Sequence, residues 1–101
     1  MKKELREALL ARYEQWKGIG YNAVYFKRML TPTDPIYKEP VGTVKHLMGK
    51  KLTDKSGFVR LLKAGKLDWT IEALLADPKW HSLFERWELE RAERRMAGKG
   101  D

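Results

Sequence analysis

Apolar residues recur along most of this chain at the three- and four-residue spacing of a helix, and no run alternates long enough for a strand. Over residues 2–17, Leu5, Ala8, Leu9, Tyr13 and Trp16 share one face, with Lys3 and Glu7 paired at i,i+4 on another. Gly18-Ile19-Gly20 follows, and a glycine just past a helix accepts the positive φ that ends it. Asn22 is the expected cap of a short second helix, whose Val24, Tyr25, Phe26, Met29 and Leu30 are too apolar for a solvated surface. Residues 31–40 carry three prolines and read as a loop, because each lacks an N–H and pushes its predecessor extended. Ile36 and Tyr37 are expected to pin that loop to the core.

Pro40 suits the first turn of a third helix, with Val41, Val44, Leu47 and Met48 on one face, Lys45 on the solvated side and Gly49 at the end. A polar stretch, residues 50–55, leads through Ser56-Gly57 to a fourth helix with Phe58, Leu61 and Leu62 inward, stopped by Gly65. Asp68 is the expected cap of a fifth helix burying Ile71, Leu74 and Leu75. Asp77-Pro78 repeats the start signal, and Trp80, Leu83, Phe84 and Trp87 follow at i, i+3, i+4 and i+7. Leu89, Ala92 and Met96 form a second, rotated stripe, which predicts a bend between Phe84 and Glu85; Glu90 and Arg94 support the last helix as an i,i+4 pair. The reading is an all-α orthogonal bundle of five or six short helices in a single domain of residues 1–101, fraying over residues 98–101.

Size permits one core in 101 residues, and four tryptophans make that core rich in large side chains. No apolar stretch approaches the roughly 18–20 residues of a membrane span, and Met1-Lys2-Lys3-Glu4 has no apolar region behind it to make a signal peptide. A cytoplasmic location is the default expectation. The absence of cysteine removes disulfides, thiolate nucleophiles and thiolate metal sites.

Charge changes the picture more. The net charge of +7 is concentrated: residues 45–66 hold seven basic side chains and one acidic one, Asp54, whereas residues 67–101 hold six basic and eight acidic. Lys45, Lys50, Lys51, Lys55, Arg60, Lys63 and Lys66 are therefore candidate phosphate contacts. The layout over residues 41–76 loosely suggests a helix-turn-helix. Against groove reading, lysine outnumbers arginine six to one in this segment, and residues 69–76 offer almost no side chain that reads bases. Lysines that merely keep a helix exterior solvated are the plainer explanation of the same count.

Catalytic parts are missing from the pattern. His46 and His81 sit in no HExxH arrangement, and Ser82 beside His81 points about 100° away on a helix. There is no phosphate-cradling glycine loop, so neither an enzyme, a metal, a cofactor nor a small-molecule substrate is expected. Glu85, Glu88, Glu90 and Glu93, interleaved with arginines, read as a solvated face. Spacing places Trp16, Trp80 and Trp87 in the core and leaves Trp69, at a helix start, as the tryptophan most open to solvent.

From Gly20-Tyr21-Asn22, Phe26 and Met29-Leu30 onward, the chain resembles small bacterial all-helical domains of no established activity. The resemblance continues through Thr43-Val44-Lys45-His46-Leu47-Met48, Ser56-Gly57-Phe58 with Arg60-Leu61, Gly65-Lys66-Leu67-Asp68-Trp69-Thr70-Ile71-Glu72-Ala73-Leu74, Leu83-Phe84 and Arg95-Met96. It covers about three quarters of the sequence and implies a self-contained helical unit, with the loop at 31–40 as an insertion. Two binding roles follow as expectations. One is an electrostatic nucleic-acid binder acting as an accessory or regulatory factor. The other is a small regulator or inhibitor docking on a larger nucleic-acid-handling protein through an apolar patch at Ile36, Tyr37 or Trp69.

Overall fold

In the computed structural model, which describes residues 2–30, 40–53 and 55–99, every regular element is helical. The α-helices are α1 (Lys2–Gly18), α2 (Val24–Met29), α3 (Pro40–Gly49), α4 (Gly57–Lys63), α5 (Ile71–Leu75) and α6 (Arg86–Met96). Two 3₁₀ segments, Leu67–Trp69 and Pro78–Leu83, complete the order. Among the described residues there is no strand, and no helix is long and apolar enough to cross a membrane. Contacts along the backbone divide the chain into two units, residues 1–46 and residues 47–101.

In the first unit α1 buries Leu5, Leu9, Tyr13 and Trp16, the face its spacing predicts. Its stop is set by Gly20 rather than Gly18. Gly20 takes a φ of +84°, which lets its N–H reach the Lys17 carbonyl and the Tyr21 N–H reach the Trp16 carbonyl. The same reversal stacks Tyr21 on Trp16 at 5.4 Å between ring centroids, and Phe26 meets Trp16 from another side at 4.9 Å. Asn22 does not cap α2. Its side chain accepts a hydrogen bond from the Tyr13 hydroxyl at 2.9 Å, and Ala23 occupies the cap position with no side-chain bond. Thr43 of α3 is fully buried because its hydroxyl donates to the Met29 carbonyl at 3.2 Å, one of the orphan acceptors at the end of α2. Lys45, about 60° around α3 from the buried Met48, is half-buried rather than on a solvated side.

In the second unit Phe58 and Leu61 of α4 are buried together with Ile71, Leu74, Leu75, Trp80, Phe84 and Ala92. Leu62 departs from expectation and stands 48% exposed, because on a seven-residue helix it lies outside the narrow stripe set by Phe58 and Leu61. Gly65, at φ +73°, closes α4 by letting the Lys66 N–H reach the Leu61 carbonyl at 2.9 Å.

The cap of α5 is Thr70, not Asp68. Residues 67–69 are spent in a 3₁₀ turn, and the Thr70 hydroxyl then accepts from the Ala73 N–H at 3.0 Å while donating to the Leu67 carbonyl at 2.8 Å. Since Thr70 is fully buried, Thr70→Ala removes two satisfied bonds at once. We expect it to cost about 1–2 kcal/mol, read as a shift in the urea midpoint. Thr70→Ser should recover most of that.

Asp77 caps the next segment as its sequence predicts, accepting from the Lys79 N–H at 3.0 Å. The predicted bend is also present: Phe84 and Glu85 are both extended, and α6 restarts with the Glu85 N–H bonded to the Glu88 carboxylate at 2.7 Å. That restart resets the helical phase. Glu88, Ala92 and Arg95, at i, i+4 and i+7, become the buried face of α6, and Trp87 turns outward at 46% exposure. Trp87 is thus not a core residue, and Glu88 is not part of a solvated face.

Candidate nucleic-acid interface

The basic segment begins where α3 ends. Arg95, 3% exposed, donates through Nη1 to the Glu72 carboxylate at 2.9 Å and through Nη2 to the Lys50 carbonyl at 2.6 Å. A buried guanidinium with a charge partner thereby fixes the backbone that carries Lys50 and Lys51, whose side chains are exposed. The following turn is held by its own hydroxyls. The Thr53 N–H donates to Ser56 Oγ at 2.8 Å, the Ser56 N–H to the Thr53 carbonyl at 2.9 Å, and the Lys55 N–H to Thr53 Oγ1 at 3.2 Å. Lys55 is exposed on this turn.

On α4, Arg60 and Lys63 are three residues apart, hence neighbours on one face, and both are exposed. Leu62 is exposed on the same short helix, turned about 100° from Lys63. At the corner after α4 the Lys66 ammonium lies over the Trp69 indole, 4.6 Å from the ring centroid. Both residues are half-buried, so Lys66 is committed to an aromatic neighbour and Trp69 is partly covered.

Of the seven basic residues singled out in the sequence, five (Lys50, Lys51, Lys55, Arg60 and Lys63) are exposed in the second unit. Lys66 is in that unit but packed on Trp69, and Lys45 belongs to the first. Ile36 and Tyr37 lie outside the described residues. Asp54, the single acidic residue of the segment, also lies outside them. Glu72, which shares Arg95 with the Lys50 carbonyl, is 4% exposed, whereas Asp68, two residues past Lys66, is exposed.

The helix-turn-helix layout does not survive in its reading part. α5 has five residues, and Ile71, Glu72, Leu74 and Leu75 are all buried, which leaves no face to enter a groove. A hollow of about 330 Å³ opens between α5 and α6, walled chiefly by Leu75, Leu89, Ala92 and Met96. Its polar members are already engaged or at its edge: Glu72 holds Arg95, and the His81 Nε2–H donates to the Leu75 carbonyl at 3.0 Å. Among the described residues no three histidine or acidic side chains converge on a metal position. Comparison with protein-family models, curated proteins and solved structures finds no match to this chain.

Proposed function

We propose that this chain is a non-enzymatic binding domain whose basic central segment contacts nucleic-acid phosphates, serving as an accessory or regulatory factor. The observation that carries the reading is the run of five exposed cations between residues 50 and 63 on backbone held by Arg95 and by the Thr53–Ser56 hydrogen bonds. Fixed backbone with mobile lysine tips suits phosphates, which need charge more than directional bonds. Lysine-dominated contact implies binding with little sequence preference.

Four to five phosphate contacts imply that raising salt from about 50 to 200 mM weakens duplex binding by roughly 100- to 500-fold, and single-strand binding by roughly 50- to 130-fold. Fluorescence anisotropy of labelled oligonucleotides at the two salt concentrations tests this. Absence of binding at the lower salt would remove the reading.

A second reading, a protein-interaction module docking on a larger nucleic-acid-handling protein, is favoured by Leu62, an apolar side chain 48% exposed on α4. The salt dependence separates the two, because apolar docking would persist at the higher salt.

A further inference from the structure

The helical restart at Glu85 leaves Trp87 exposed on α6, in a pre-set orientation. Its indole N–H already donates to the Glu85 carboxylate, so the ring has no unmet hydrogen bond and presents its π surface. At about 100° per residue, Arg91 and Arg94 fall on the same side of α6 as Trp87, one and two turns further on. Two acids lie on that side: Glu85, on the indole N–H, and Glu90, held by Arg86 at 3.0 Å as an i,i+4 pair. The outer face of α6 therefore combines one exposed aromatic side chain with the exposed guanidinium of Arg94 two turns on. An anionic ligand with stackable rings complements it.

We propose that the Trp87–Arg94 face of α6 is a stacking platform for the bases of single-stranded nucleic acid. This rests on the nucleic-acid reading above and makes it more specific. In a duplex the bases are already stacked on each other, and an exposed ring cannot reach their faces without unstacking them. In a single strand every base offers a π face, so the indole engages one base while Arg94 meets a flanking phosphate. Trp87 thus supplies strand preference, and the lysines of residues 50–63 supply strand-independent attraction.

The test compares a labelled oligothymidylate with a duplex of equal length at about 50 mM salt, using the full chain and Trp87→Ala, Trp87→Phe and Arg94→Glu. Stacking contributes about 1–3 kcal/mol per base, which is roughly 5- to 150-fold in affinity. Trp87→Ala should lose that much for the single strand and change duplex binding by less than about twofold. Trp87→Phe, which keeps a ring, should lose much less. Arg94→Glu should weaken the single strand with Trp87 intact, and single-strand binding should quench Trp87 fluorescence. Because Trp87 is exposed, the variants should melt with the wild type, which a thermal scan checks. Unchanged single-strand affinity in Trp87→Ala overturns the platform, while salt-dependent binding by the wild type keeps the broader reading. Equal losses for both forms overturn the strand preference. No binding by the wild type to either form ends both proposals.

Discussion

Replacing Arg95 with alanine should destabilise the second unit by about 3–5 kcal/mol, the typical effect of leaving one half of a buried ion pair without its partner. Glu72 would be left at 4% exposure without its guanidinium partner, and the Lys50 carbonyl would lose its 2.6 Å donor. Both residues are too buried for solvent to screen the loss as it does in surface pairs. For a chain of this size the change corresponds to a fall in Tm of more than about 10 °C. Replacing both partners, Glu72→Leu with Arg95→Met, should cost far less than Arg95→Ala, because no uncompensated charge is then left inside. Thermal and urea unfolding of the single and double variants check this. A single variant no worse than the double would mean that the pair carries no such role. The lesion should also reach function, since Arg95 holds the backbone from which Lys50 and Lys51 project.

The second large effect concerns binding. Lys50, Lys51, Lys55 and Lys63, all exposed, are expected to neutralise phosphates by releasing condensed counterions. Reversing all four to glutamate removes those contacts and adds four repulsions. At about 50 mM salt, each lost contact contributes on the order of tenfold, so affinity should fall by on the order of 10³-fold or more. The log–log salt slope for duplex should flatten by roughly 3–4 over the range where binding is still measurable. These side chains are solvated and outside the core, so the melting temperature should change little. A variant that binds and responds to salt as the wild type does would show that the segment is only a solvated exterior.

Much of the helical framework was legible in the sequence because it depends on local rules. The face of α1, the proline start of α3, the glycine stop of α4 and the bend before α6 all follow from spacing and from glycine or proline geometry. What escaped depends on partners distant in sequence. Nothing local distinguishes Arg95 from Arg91 or Arg94; its burial is decided by Glu72, 23 residues away, and by the Lys50 carbonyl, 45 residues away. Trp80, Leu83, Phe84 and Trp87 make a stripe on one continuous helix, and that spacing alone places Trp87 inward. The extended residues Phe84 and Glu85 break that continuity and move the inner face to Glu88, Ala92 and Arg95. A signal for this was available in Glu85-x-x-Glu88, which forms the N-terminal box of α6. At Asp68 and Thr70 two residues competed for one cap, and the 3₁₀ turn between them settled it for Thr70. The charge concentration was legible as a count, but not the anchoring of its backbone or the pairing of Lys66 with Trp69.

The most direct test of the central claim holds net charge constant. A labelled single-stranded oligonucleotide would be titrated at about 50 mM salt with the wild type, with the Lys50, Lys51, Lys55 and Lys63 quadruple glutamate variant, and with a second quadruple variant. The second replaces Lys3, Lys17, Lys79 and Lys99, exposed lysines elsewhere, with glutamate. If the central segment is the phosphate-binding surface, the first variant loses measurable binding while the second stays within about tenfold of the wild type. Equal losses in both would mean that attraction follows net charge alone and that residues 50–63 form no interface.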